Sequence, residues 1–311
     1  MKKILFIFSC LLIICPVLYA AEAAAAVTTT ADKNAEEYYL LGQAKAEAGK
    51  YAAAVKEFDK AVAVDPKLDK AFYEKGNSLA KMDKNDDAIT AYTEAKKLKP
   101  DEGKYQLAEA AAYRKSKKFK EALIDLDAAI KNNQNYAEAW VEKSLTLLDM
   151  TNTPDAHWSA DRAIAASPEL ADAWSAKKDI LLAEEKYAQV IPCYDKLIEA
   201  YPEKTAPILG KADTLIKLEK YDEALDCVHA ALKLAPKSVE ALLKQGSLLH
   251  TLDYNFEAVE NYNKMLKMKL SKQARVEALQ GKAAALISLE KQEQADKCLK
   301  QAIQLAAKIK K

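Results

Sequence analysis

The residues of this 311-residue chain best suited to chemistry are three cysteines and three histidines in its second half: Cys193, Cys227 and Cys298, with His157, His229 and His250. A thiol beside an imidazole could serve as a nucleophile, and thiols and imidazoles together could hold a metal ion. Their spacing argues against both. Cys227 follows Cys193 by an interval of 34 and Cys298 follows by a further 71, with no second ligand at metal-binding spacing beside any of them. Each histidine lacks a nucleophile or orienting partner nearby in sequence. No Gly-rich phosphate loop is present among the seven glycines. The chain therefore reads as non-catalytic, with no cofactor and no metal.

The first of those intervals points instead to repetition. "KYAAAVKEFDKAVAVDPK" at 50–67 returns as "KYDEALDCVHAALKLAPK" at 220–237, five such intervals downstream. Frames of this period starting at 35, 69, 103, 137, 171, 205 and 239 place Ala54, Ala88, Ala122, Ala156, Val190, Ala224 and Ala258 at position 20. Position 8 holds Gly42, Gly76, Ala110, Ser144, Lys178, Ala212 and Gly246, and position 32 holds Pro66, Pro100, Pro168, Pro202 and Pro236. An eighth frame starts at Val276 after a slip of three, which makes Gln273, Ala274 and Arg275 a small insertion. The cysteines all take position 23. Equivalent points on stacked helices lie about 8–10 Å apart, beyond the ~7 Å Cα limit for a disulfide, so free thiols are expected.

A chain rich in Ala, Leu, Lys and Glu with few glycines and prolines favours helix over sheet. Each frame reads as two antiparallel helices, with large apolar residues at positions 4 and 11 on one stripe of the first, such as Phe72 and Leu79 or Trp140 and Leu147. Small residues at positions 8, 20 and 27 allow close helix approach. The larger residue at position 24, as in Phe58, Tyr92, Tyr194 and Tyr262, then fills the gap. Proline at position 32 ends the second helix. In "TNTPDA", Thr153 reads as a cap with Pro154 as first helical residue. Pro192 should lie near the fourth or fifth residue of its helix and bend it at most mildly.

These positions carry the signature of the tetratricopeptide repeat, which the first frame resembles through Tyr38, Leu41, Gly42, Ala54, Phe58, Ala61 and Pro66. The resemblance covers residues 35–309, with departures at Gln106 in the third unit, Ala160 in the fourth, and Lys178, Val190 and Leu197 in the fifth. It implies an all-α, right-handed superhelical solenoid of about eight helix-turn-helix units, acting as a scaffold that binds a protein or peptide ligand on a concave face lined by the first helices. It also implies that positions 2, 5, 6, 9, 12 and 13 line that groove. The central candidates are Lys104, Leu107, Arg114 and Lys115 in the third unit, Val141, Glu142, Leu145 and Leu148 in the fourth, and Asp172 and Asp179 in the fifth. Together they make a basic edge, an apolar floor and an acidic region beyond. A plainer reading keeps Leu145, Leu148 and Leu182 as packing between units and the charges as ordinary solvated surface. His250 also falls on a groove position. The two-carboxylate clamp of some family members is incomplete: Gly76-Asn77 resembles its opening, but Tyr73, Ala108, Glu138 and Glu142 stand where other residues belong.

Residues 1–20, "MKKILFIFSCLLIICPVLYA", have the layout of a secretory signal peptide, with cleavage after Ala20 or a neighbouring alanine; an uncleaved N-terminal anchor is the alternative. A lipoprotein signal fits less well, because Cys15 follows bulky Ile14 and Cys10 follows too short an apolar run. Residues 21–34 read as a tether. Without Lys2 and Lys3 the remainder carries 45 basic and 46 acidic side chains, so nothing draws nucleic acid to it. The expected protein is exported, periplasmic, extracellular or envelope-associated, and touches a membrane only through residues 1–20 if they are retained. A second reading is a self-associating structural or assembly component of the cell envelope, drawn from the C-terminal end, where "KQAIQLAAKIKK" supplies a polar cap through Lys308, Lys310 and Lys311 or leaves a face for a partner.

Overall fold

The computed structural model describes residues 34–309; the expected signal peptide, all but the last residue of the expected tether, and Lys310 and Lys311 lie outside them. The described residues form sixteen α-helices and no strand. They divide into two compact units. The first holds α1 (Ala35–Glu47), α2 (Tyr51–Val64), α3 (Asp69–Ala80), α4 (Asn85–Leu98), α5 (Gly103–Lys115) and α6 (Phe119–Asn132). The second holds α7 (Ala137–Asp149), α8 (Thr153–Ala166), α9 (Ala171–Ala183), α10 (Tyr187–Ala200), α11 (Thr205–Lys217), α12 (Tyr221–Leu234), α13 (Val239–Thr251), α14 (Asn255–Leu266), α15 (Lys272–Ser288) and α16 (Gln292–Ala306).

Each unit is a run of helical hairpins, and the same short-range devices shape them all. The first helix of every hairpin ends in a residue of positive φ: Gly49, Asp83, Lys117, Thr151, Glu185, Glu219, Asp253 and Glu290. The next N–H then bonds back to the carbonyl five places earlier, as Lys50 does to Lys45 O at 2.8 Å and Lys186 to Leu181 O at 2.9 Å. This is a Schellman ending, and it turns the chain into the second helix. Glycine takes the left-handed conformation in the first hairpin only. Thr151 adopts it at φ 60 despite a branched Cβ, which makes it the most strained of the eight. Thr151→Gly should therefore raise unfolding stability by about 0.5–1 kcal/mol, read as a higher urea midpoint, once the entropy that glycine loses on folding is set against the relief.

The second helices stop before the prolines. Asp65, Lys99, Ser167, Tyr201 and Ala235 precede proline and hold φ between −129° and −149°, out of the helical region, because the proline ring clashes with a helical predecessor. Two local expectations shift by a residue or so. Asn152, not Thr153, caps α8, and Pro154 is its second residue. Pro192 is the sixth residue of α10, so one carbonyl loses its intrahelical donor while the helix continues. The three-residue insertion does not loop out. Gln273, Ala274 and Arg275 form the first turn of a lengthened α15, capped by Ser271 Oγ on Ala274 N–H. The Arg275 guanidinium donates to Leu266 O and Met268 O, both at 3.2 Å.

Aromatic rings from second helices fill the space that small residues leave. A methyl group on Gly42 would stand 2.5 Å from the Phe58 ring, and one on Gly76 would stand 2.5 Å from Tyr92. Where position 8 is Lys178, the Tyr194 ring rests instead against Gly210 of the following hairpin, and Tyr262 lies between Gly246 and Gly281. The gap is thus kept in space even where its sequence position moves. Successive hairpins are also joined by a recurrent ion pair, from a lysine on a first helix to an aspartate on the preceding second helix: Lys75–Asp59 at 2.6 Å, Lys177–Asp161 at 2.7 Å and Lys211–Asp195 at 2.6 Å. Partly exposed pairs of this kind contribute up to about 1 kcal/mol each.

Candidate protein-binding surfaces

In the first unit, the side chains expected to form a basic edge are in part held by the protein itself. Tyr73 and Tyr105 pack with ring centroids 5.1 Å apart, and the exposed Lys104 ammonium lies 5.7 Å and 5.2 Å from them. The Tyr105 hydroxyl donates to Asp69, which Lys99 also approaches at 3.1 Å. Burial alone would raise the Asp69 carboxyl, yet these two donors hold it below the usual range. Lys104 is therefore a cation over an aromatic pair rather than a free charge. Leu107 and Arg114 are half-buried, and Lys115 is exposed. Asn77 donates to Glu74 at 3.1 Å and accepts from the Tyr92 hydroxyl at 2.8 Å, so its amide is committed within the hairpin.

In the second unit, Leu145 and Leu148 are expected side by side on α7. Leu145, Leu148 and Glu142 are all half-buried there, and Asp172 is exposed on α9. Asp179 is paired with Lys178 at 3.1 Å. Val141, expected on the groove floor, is only 8% exposed and belongs to the core. Leu182 packs against Leu181, Val190 and Cys193 within its own hairpin, α9 and α10.

Cys193, Cys227 and Cys298 are free thiols. Burial raises the first two above the ordinary thiol range, which removes thiolate rather than creating it. His157 meets Glu184 at 2.6 Å, and that bond together with Lys186 holds the Glu184 carboxyl down at about 2. His250 Nδ1 meets Asn255 Oδ1 at 2.6 Å within its own hairpin. Among the described residues no group of three His, Cys, Asp or Glu side chains could hold a metal ion.

One charged cluster was not foreseen. Lys96 of α4 lies 2.5 Å from Glu109 Oε2 of α5 and donates to Asp125 Oδ1 of α6 at 2.6 Å. Thr93 adds a 2.5 Å bond to Glu109, which is 1% exposed. Asp125 is pushed up to about 6, chiefly by burial and then by the neighbouring Glu109 carboxylate, against the pull of Lys96. The available signal was Lys96 itself, at position 28, where the other frames carry Val62, Ile130, Ile164, Ile198, Leu232, Leu266 and Ile303.

Runs of antiparallel helical hairpins built on one repeating pattern define an all-α repeat protein. Models of the tetratricopeptide repeat match residues 35–68 and 276–309, 73–140, and 181–246, together more than half of the chain, and the chain belongs to that family, whose members generally mediate protein–protein interactions. A stretch of 110 residues, 34% of the chain, is 36% identical to the "Protein STIP1 homolog" of Dictyostelium discoideum and spans 20% of that protein. Among solved structures, the type IV pilus biogenesis factor PilW superposes with a TM-score of 0.59 at 16% identity, covering 68% of this chain and 98% of PilW. A tetratricopeptide repeat protein from Parabacteroides merdae gives 0.54 at 15% identity over 81% of this chain and 98% of its own. At these identities the likeness is one of fold. No helix of the described residues is long and apolar enough to cross a membrane.

Proposed function

We propose that this protein is a non-catalytic scaffold that works outside the cytoplasm and holds a protein or peptide segment against its first-helix faces. The observation that carries the reading is the α7–α9 surface: Leu148 and Glu142 are half-buried beside Leu145, with Asp172 exposed and Asp179 partly so. Apolar anchors next to acidic groups suit a segment that brings apolar side chains and a basic flank. Lys104, Leu107, Arg114 and Lys115 on α5 supply the basic edge of the same reading. Export rests on the layout of residues 1–20.

The test is crosslinking of the protein in its native envelope, followed by identification of what is captured. Glu142→Lys with Asp179→Lys should abolish capture while the helical circular dichroism spectrum stays unchanged. Full capture by the doubly reversed protein would sink the reading. A second reading, self-association, draws on the last hairpin, where Ile303 is 70% exposed and Ile287 and Ile309 are also exposed. Sedimentation separates the two, because a dimer that persists at low concentration favours self-association.

A further inference from the structure

One of the eight hairpin turns differs in charge from the rest. At the residue of positive φ the others carry Asp83, Glu185, Glu219, Asp253 or Glu290, or else Gly49 or Thr151, whereas the α5–α6 turn carries Lys117. Three places on, where Asp86, Asp222 and Glu293 stand in other hairpins, it carries Lys120. Lys115, Lys117, Lys118 and Lys120 are all exposed. Lys118 reaches Asp86 at 2.8 Å, and Lys117 and Lys120 form no ion pair among the described residues. The nearly balanced charge of the whole chain conceals this cluster, because attraction to a surface depends on charges within a screening length of it.

The helix that follows exposes an isoleucine among cations. Ile124 of α6 is 68% exposed, at a position that holds Lys56, Thr90, Asp226, Glu260 and Lys297 in other hairpins. Helical spacing sets Lys120 and Lys131 on one stripe with it, about one turn before and two turns after, and both are exposed. Of the acids on α6, Asp125 is buried, Asp127 at one edge of the exposed face is not a free charge, and Glu121 is exposed at the other edge. An apolar side chain centred between cations on the solvent side of a helix is the arrangement that lies in a membrane interface.

We propose that the α5–α6 turn and the exposed face of α6 dock reversibly on an anionic phospholipid bilayer. Lys117, Lys120 and Lys131 lie among the headgroups, and Ile124 enters the acyl boundary. The cations stand on a turn and a helix face without fixed partners, which suits headgroups that are themselves laterally mobile. An acidic protein segment would instead call for donors held in place for paired hydrogen bonds. The contact lies on a second helix and its turn, so it stands or falls apart from the first-helix faces of the scaffold reading.

The experiment is flotation of the purified protein, produced without residues 1–20 so that they cannot insert, with vesicles of phosphatidylcholine alone or mixed with phosphatidylglycerol. The expected result is flotation with the anionic vesicles only. It should be lost when salt is raised from about 0.1 M to about 1 M, which shortens the screening length from about 10 Å to about 3 Å. Lys117→Glu with Lys120→Glu should weaken binding by about twentyfold or more, from roughly fivefold per lysine, and Ile124→Ser by about tenfold. Other hairpins carry acids at both lysine positions, so the doubly reversed protein keeps its fold. Lys233→Glu with Lys237→Glu, at two exposed sites of the second unit, makes the same change in net charge and should float like the native protein. Equal flotation with both kinds of vesicle, flotation with neither, or equal loss in the two doubly reversed proteins would overturn the proposal. So would binding to polyglutamate, but not to vesicles, that the Lys117 and Lys120 reversals abolish, since the surface would then be one for an acidic polypeptide.

Discussion

Phe58→Ala should lower unfolding stability by about 3–5 kcal/mol, the usual loss for deleting a fully buried ring. Phe58 is completely buried between α1 and α2, its ring centroid 6.0 Å from that of Tyr39 and its edge against Gly42. The more discriminating measurement pairs it with Gly42. In the native background Gly42→Ala should destabilise by about 1–2 kcal/mol, since the overpacking loss exceeds the roughly 1 kcal/mol that alanine gains over glycine in a helix. In a Phe58→Leu background the ring is gone, and Gly42→Ala should become neutral or stabilising. Urea midpoints give the sums. Because stacked repeats are coupled mainly to their neighbours, hydrogen exchange should place the loss in α1–α4. A Gly42→Ala effect that is the same in both backgrounds would contradict this packing.

Lys96→Ala should destabilise the first unit by about 3 kcal/mol at pH 7.5, because it leaves two buried carboxylates facing each other without their cation. The loss should shrink at pH 4.5. Asp125 keeps its proton up to about pH 6 in the folded protein but releases it near pH 4 when unfolded. Between those values the folded state binds more protons, so this group's contribution to stability falls as pH rises through the window. Asp125→Asn should accordingly raise the urea midpoint at pH 7.5 and leave it nearly unchanged at pH 4. If Lys96→Ala proves equally damaging at both pH values, Asp125 is not the group that responds.

Much of the fold could be read in advance because it is local. A hairpin of this kind is settled within a single repeat by helical periodicity, by alanine or glycine where two helices touch, and by a proline that stops the second helix. All of these act over one or two turns of chain. Even the departures followed from local rules misplaced by a residue, as with Asn152 in place of Thr153, or from a helix absorbing an insertion, as with Gln273 to Arg275. The repeated positive φ at the end of each first helix escaped notice because seven of the eight residues are not glycine, and the turn is imposed by the hairpin rather than requested by the residue.

The repeat, its period and the small and aromatic residues that every copy needs are legible in the order of amino acids alone. Which side chains meet once the helices pack is not. Val141 enters the core, Lys104 settles over two tyrosines, Lys96 is drawn between Glu109 and Asp125, and the Tyr262 ring lies between Gly246 and Gly281. The reason is one of range. Backbone hydrogen bonds and helical stripes join residues a few places apart, whereas burial and charge pairing depend on groups one or two helices away.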